Sequence, residues 1–226
     1  MHDTILLLAD GTIFTGNGFG MPAPAYQDLL QMSYQEAPLG EVVFNTSMGS
    51  YHEIITDPSY AGQTIVMSSV HIGNYGMDER WNEMLTDAVY CRSLVVHDAY
   101  DGPIGEGRTS LHDQMVKWNL CGITSVDTRA LVLHLRNRGS QYGVLVKHCA
   151  QVQHHIDALL TWMAQIPSMH ERDFITPCSV SEPRTFPAHG PTRARYALWD
   201  FGTKRSIIEQ LNAHQVEVTV FPASKR

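Results

Sequence analysis

The period of the apolar positions changes along the chain, and each change marks an element. Thr4 to Ala9 is a continuous β-rich run, Asp10-Gly11 is a tight turn, and Thr12 to Thr15 returns as a second strand, so the chain opens on a hairpin. Strands are predicted again at Glu41–Thr46, Gln63–Val70, Ala88–Val96 and Tyr142–Lys147. Ser50 to Thr56 reads as a short helix that stops there, because Pro58 biases Asp57 away from helical backbone. Leu111–Asn119 has helical periodicity. Asp127 is placed to cap a helix running through Arg138, with Gly139 at its C-terminal stop. Ile156, Leu159, Leu160 and Met163 form one apolar helical stripe. Residues 17–39, broken by Gly18, Gly20, Pro22, Pro24 and Pro38, are expected to be irregular apart from a helical turn or two between Tyr26 and Met32.

Periodicity fades over 167–192, where Pro167, Pro177, Pro183, Pro187 and Pro191 fall; this stretch reads as an exposed interdomain linker. Beyond it, strand Arg195–Trp199, helix Thr203–Ala213 and strand Val216–Phe221 spell one βαβ unit. The fold class is therefore mixed α/β: a compact β-rich first domain over 1–166, a linker over 167–192, and the incomplete βαβ opening of a second domain over 193–226. Such an opening builds no core alone, so Ala197, Trp199, Ile208, Leu211, Val216, Val218 and Val220 are expected to be poorly covered.

Composition narrows the classes. Hydrophobic residues make up 43% of the 226, enough for a buried core. With 16 Lys and Arg against 23 Asp and Glu there is no basic cluster to hold nucleic acid. The N-terminus shows no basic leader, and its apolar run is too short for a membrane span, so a cytoplasmic protein without membrane partners is expected. Cys91, Cys121, Cys149 and Cys178 are widely spaced, which fits reduced thiols.

Most candidate chemistry reduces to structure. Gly73-Asn74-Tyr75-Gly76 lacks the Lys-Ser/Thr of a phosphate loop and reads as a turn. Asp200-Phe201-Gly202 spells a kinase magnesium motif without the rest of a kinase. His97-Asp98, His134, His148 and His154-His155 lack metal-ligand spacing, and no metal site is expected. Glu41, Glu53 and Asp57 rise no higher than isolated carboxylates. On the residues alone, Ser59 is a turn serine with a local hydrogen bond. Asp127-Thr128-Arg129 reads as a helix cap, as part of an inter-subunit or domain contact, or as both.

Four segments together carry a resemblance. They are Gly40-Glu41-Val42-Val43-Phe44-Asn45-Thr46-Ser47-Met48 followed by Tyr51-His52-Glu53-Ile54-Ile55-Thr56-Asp57-Pro58-Ser59-Tyr60; His71-Ile72-Gly73-Asn74-Tyr75-Gly76; Gly122-Ile123-Thr124-Ser125-Val126-Asp127-Thr128-Arg129-Ala130-Leu131; and Asp200-Phe201-Gly202-Thr203-Lys204-Arg205. In this order and spacing the chain resembles the small subunit of glutamine-hydrolysing carbamoyl-phosphate synthase, over nearly its whole length. The resemblance implies a family-type N-terminal domain that helps contact the large subunit. It also implies the start of a flavodoxin-like class I glutamine amidotransferase domain.

In that family a Cys-His-Glu triad releases ammonia from glutamine. The large subunit, which owns the ATP and metal ion, converts that ammonia to carbamoyl phosphate for arginine and pyrimidine synthesis. No cofactor is implied for this subunit. The serine of Thr56-Asp57-Pro58-Ser59-Tyr60 is implied to contact glutamine, with both its hydroxyl and its N–H available. The match departs from the family at Met48-Gly49-Ser50, where Thr-Gly usually precedes the tyrosine, and over Phe19–Pro38, which looks inserted. No cysteine lies in the Gly-x-Cys-x-Gly turn that activates the family's nucleophile. The chain is thus expected to carry no catalytic residue, to be truncated in its amidotransferase domain, and to be inactive alone. Two rival readings are a non-catalytic module docking on the large subunit and an unrelated Cys/His hydrolase.

Overall fold

A computed structural model describes residues 2–148 and 152–224. Seven strands close a barrel: β1 (Thr4–Leu8), β2 (Ile13–Gly20), β3 (Leu39–Asn45), β4 (Gln63–Ile72), β5 (Ser93–Ala99), β6 (Cys121–Thr124) and β7 (Gln141–Lys147). Their order around the barrel is β1-β2-β6-β5-β4-β3-β7. The run β3-β4-β5-β6 is parallel and the remaining pairings are antiparallel. Closure comes from β1 against β7, with Leu6 opposite Leu145, and removes the free edges a sheet of this size would otherwise expose.

Period-two alternation explains the packing. Leu6, Leu8, Val42, Val66, Val95, Ile123 and Leu145 form one buried cluster drawn from six strands, the barrel interior. Leu131 and Leu135 of α4 (Thr128–Arg138) join it. The alternate residues face outward and are covered. Ile5, Leu7, Leu39, Val144 and Val146 pack on Leu159 and Met163 of α5 (Ile156–Ala164), the stripe read from the sequence. Ile65, Met67, Leu94 and Val96 pack on α2 (Tyr51–Thr56) and α3 (Leu111–Lys117). With both faces covered, β1 is buried at every position. Asp127 caps α4, its carboxylate accepting the Ala130 N–H at 2.8 Å, and Gly139 stops it at φ 87°.

Residues 17–39 hold the helical turn expected after Tyr26, but their first four residues are strand rather than irregular. β2 runs on to Gly20, and α1 (Tyr26–Leu29) follows. Gly16 lets β6 approach: a Cβ there would lie 2.2 Å from the Thr124 carbonyl oxygen. β5 starts at Ser93 rather than Ala88.

The stretch 167–192 is also more ordered than its prolines suggest. It holds α6 (Ile175–Cys178) and β8 (Arg184–Phe186), and Cys178 and Val180 are buried. β9 (Ala194–Asp200), α7 (Arg205–Ala213) and β10 (Val216–Pro222) make the expected parallel βαβ unit, and β8 adds an antiparallel strand outside β10. The expected poor coverage is corrected at Ile208, Val216, Val218 and Val220, which are buried with Leu85 and Val180 as neighbours. Leu211 is half-buried, whereas Ala197 and Trp199 stay exposed, together with Tyr196 and Phe201.

Candidate functional site

Pro58 shapes the site. It holds Asp57 extended (φ −73°, ψ 118°), ends α2, and starts a single 3-10 turn over Pro58–Tyr60. Asp57 Oδ1 accepts the Ser59 N–H at 2.9 Å. Ser59 is exposed. Its N–H is therefore already engaged, and the hydroxyl is the group left to meet a ligand; the sequence reading had offered both.

The resemblance segments converge behind this turn. The Tyr51 and Tyr75 rings stack at 4.1 Å. The Tyr51 N–H donates to the Tyr75 hydroxyl at 3.0 Å, and the Tyr51 hydroxyl donates to the Gly76 carbonyl at 2.8 Å. Burial pushes the Tyr51 phenol far up, so it remains a donor. Gly73 and Gly76 take φ 104° and 73°, the turn that glycine allows. Asn45 Nδ2 donates to the Tyr60 hydroxyl at 2.9 Å, tying the end of β3 to the turn.

The β9–α7 loop closes over the same turn. Asp200 is fully buried. Its Oδ1 accepts the Gly202 and Thr203 N–H groups at 3.1 and 2.9 Å, and its Oδ2 accepts the Val180 N–H at 2.8 Å. Gly202 (φ 94°) lies so near the turn that a Cβ on it would be 3.3 Å from Pro58 Cβ. Lys204 Nζ reaches Asp57 Oδ2 at 2.5 Å, and this bond raises the Lys204 pKa against the opposing effect of burial. Glu83 caps α7: its carbonyl accepts the Arg205 N–H at 2.8 Å and its carboxylate the Ser206 N–H at 3.0 Å. The sequence reading singled out both Asp57-Pro58-Ser59 and Asp200–Arg205 but did not join them. Glu83 sits in no motif and gave no signal.

The other candidates stay apart. His134 pairs with Asp10 (2.7 Å), His97 bonds the Val126 carbonyl, His148 the His2 carbonyl, and the His155 ring stacks on Tyr26. Glu41 meets Gln63 at 3.3 Å, away from the Asp57–Lys204 pair. Among the described residues no three His, Cys, Asp or Glu side chains converge on one point. Burial pushes the thiols of Cys91 and Cys178 up to about 12 and that of Cys121 up to about 11. Cys149 lies outside the described residues. No helix among them is long and apolar enough to cross a membrane. The site can thus offer a hydroxyl at a charged seam, with no activated thiol among these three beside it.

Comparison with known proteins agrees with the motifs. The family model for the carbamoyl-phosphate synthase small chain, CPSase domain, matches residues 6–145. The carbamoyl phosphate synthase small chain of Syntrophotalea carbinolica is 33% identical over 97% of this chain and 57% of its own length. That of Symbiobacterium thermophilum is 34% identical, covering 96% and 55%. That of Corynebacterium diphtheriae is 33% identical, covering 98% and 55%. The chain spans about half the length of these curated relatives. The match spans all but the outer ends of β1 and β7 and includes the Tyr51–Tyr60 segment, and this chain belongs to the carbamoyl-phosphate synthase small chain family.

Proposed function

We propose that the chain serves a glutamine-hydrolysing carbamoyl-phosphate synthase as its small subunit, with Ser59 contributing one half of the glutamine pocket. Residues 1–166 are the N-terminal domain that helps dock on the large subunit, 167–192 join it to the next domain, and 193–226 open the amidotransferase domain. Ammonia released from glutamine passes to the large subunit, whose product is carbamoyl phosphate. The observation that carries the reading is the exposed Ser59 at the seam where Lys204 of the second unit meets Asp57 of the first. A hydroxyl there can bond the polar head group of an amino acid, and Asp57 is already neutralised by its lysine.

The chain alone does not hydrolyse glutamine. No Gly-x-Cys-x-Gly turn occurs in it, and the three described thiols are held protonated. Calorimetric titration of the purified chain with L-glutamine tests the pocket. Weak binding, with Kd on the order of 1 mM, is expected and should disappear in Ser59→Ala. Equal binding by both proteins would remove Ser59 from the pocket. Glutamine-dependent ammonia release by the chain alone would overturn the inactivity. Co-purification with a synthetase large subunit tests the partnership.

A further inference from the structure

A cleft of about 360 Å³ lies between the first unit and the segment leading to α6, and Ser59 does not line it. Arg92 and Arg172 both line it. Arg92 donates through Nη2 to the Gln35 carbonyl, but its Nε is buried without a hydrogen-bond partner. Arg172 lies over the rings of Tyr34 and Phe174, 5.0 and 4.7 Å from their centroids, and its Nη1 is likewise buried and unpartnered. Neither guanidinium has a carboxylate within ion-pair distance among the described residues.

Glu171 and Asp173 also line the cleft, but neither pairs with a guanidinium, and one oxygen of each is taken by local donors. Glu171 accepts the Ser168 N–H and hydroxyl at 2.9 and 2.8 Å, and Asp173 accepts the Ile175 and Thr176 N–H groups at 2.9 and 3.0 Å. Burial, and then the positive charge of Arg172, hold the Arg92 pKa below its ordinary value. Two guanidiniums in one cleft, each with a buried donor that no carboxylate of the lining reaches, are costly unless an acceptor joins them. Guanidiniums present N–H pairs that match oxyanion geometry, and the aromatic walls suit an apolar body.

We propose that this cleft binds an oxyanion, carboxylate or phosphate, carried on a small organic molecule and held between Arg92 and Arg172. The site is assembled by docking: Phe174 lies where a Cβ on Gly62 would be, 2.2 Å from its ring, so only glycine there lets the Arg172 segment close.

The test is calorimetric titration of the purified chain with inorganic phosphate and with benzoate, each at matched chloride ionic strength. Saturable one-to-one binding by one probe is expected, and the better probe identifies the head group. Arg172→Gln should weaken it by about tenfold or more. An independent readout uses the unaltered chain: phenylglyoxal modification of Arg92 and Arg172, mapped by peptide mass, should slow at saturating probe. That readout decides the matter if Arg172→Gln fails to fold. No saturable binding by either probe at tens of millimolar, or equal affinity in Arg172→Gln, or labelling unchanged by the probe, would overturn the proposal.

Discussion

Lys204 Nζ and Asp57 Oδ2 meet at 2.5 Å, and through them the loop that opens α7 is bonded to the turn that ends α2. The Asp57 side chain is only 7% exposed, and its two oxygens take their hydrogen bonds from this partner and from the Ser59 N–H. Lys204→Met should therefore leave a buried carboxylate short of a donor and cost about 1–3 kcal/mol. The cost should fall on docking of the second unit rather than on the barrel. Hydrogen exchange is expected to accelerate over 194–222 while β1 and β7 stay protected; unchanged exchange in the tail would show that the pair is not what holds it. Because the folded pKa of Lys204 is raised, its contribution is present at neutral pH and is lost as pH climbs beyond 10.5.

Gly40 opens the segment that carries the family resemblance, and its role is steric. A Cβ there would lie 2.7 Å from both the Gly62 carbonyl and the Thr64 nitrogen, which are backbone and cannot swing aside. Gly40→Ala should push β3 off β4 and lower stability by about 1–3 kcal/mol. Urea denaturation would read this as a lower midpoint at an unchanged slope. A midpoint equal to the parent's would mean the strands part without cost.

These cases show which information was local. The Asp127 cap, the α5 stripe and the stop at Pro58 each reside within a few consecutive residues, and each could be read from them. Closure of the barrel could not, because it pairs Thr4 with Lys147 across the length of the first unit. β6 was missed because Cys121-Gly122-Ile123-Thr124 is too short to show a period and contains a glycine. That glycine is packing space: a Cβ on Gly122 would strike the Phe19 ring at 2.5 Å. β8 was hidden among prolines, and Val218 opposite Phe186 gives it a partner far along the chain. At the site, the motif residues were legible, but the Asp57–Lys204 bond and the Glu83 cap exist only once the two units are docked.

His52 gives a pH dependence. It is 1% exposed; Asn82 Oδ1 lies 2.7 Å from its Nε2, and the Asp78 N–H donates to its Nδ1 at 3.3 Å. That arrangement requires the neutral ring protonated on Nε2. Burial lowers its pKa from 6.5, outweighing Asn82 and the charges of Glu53 and Asp78, which favour the cation. The unfolded chain therefore binds this proton first, and stability should fall as pH drops below 6.5. Melting curves between pH 7.5 and 5.5 would show the decline, on the order of 1 kcal/mol for each unit by which folding lowers the pKa. A replacement that cannot titrate, His52→Gln, should flatten this part of the profile; a slope that persists in it would assign the effect to other groups.

The thiols make the sharpest contrast between this chain and a cysteine hydrolase. A nucleophilic cysteine works because its pKa is lowered toward neutrality by cations or a helix N-terminus. Cys91, Cys121 and Cys178 show the reverse, with burial raising each to between about 11 and about 12, and the charge of Asp200 adding to the rise at Cys178. At pH 7.5 fewer than about one in a thousand of these sulfurs would be ionised, against about one in ten for an ordinary thiol. Iodoacetamide labelling of the native chain should accordingly leave all three slower than free cysteine by about tenfold or more, and they should react fully only after denaturation. If peptide mapping instead found one of them labelled faster than free cysteine, an activated nucleophile would be present, and the proposal that the chain alone does not hydrolyse glutamine would have to be withdrawn.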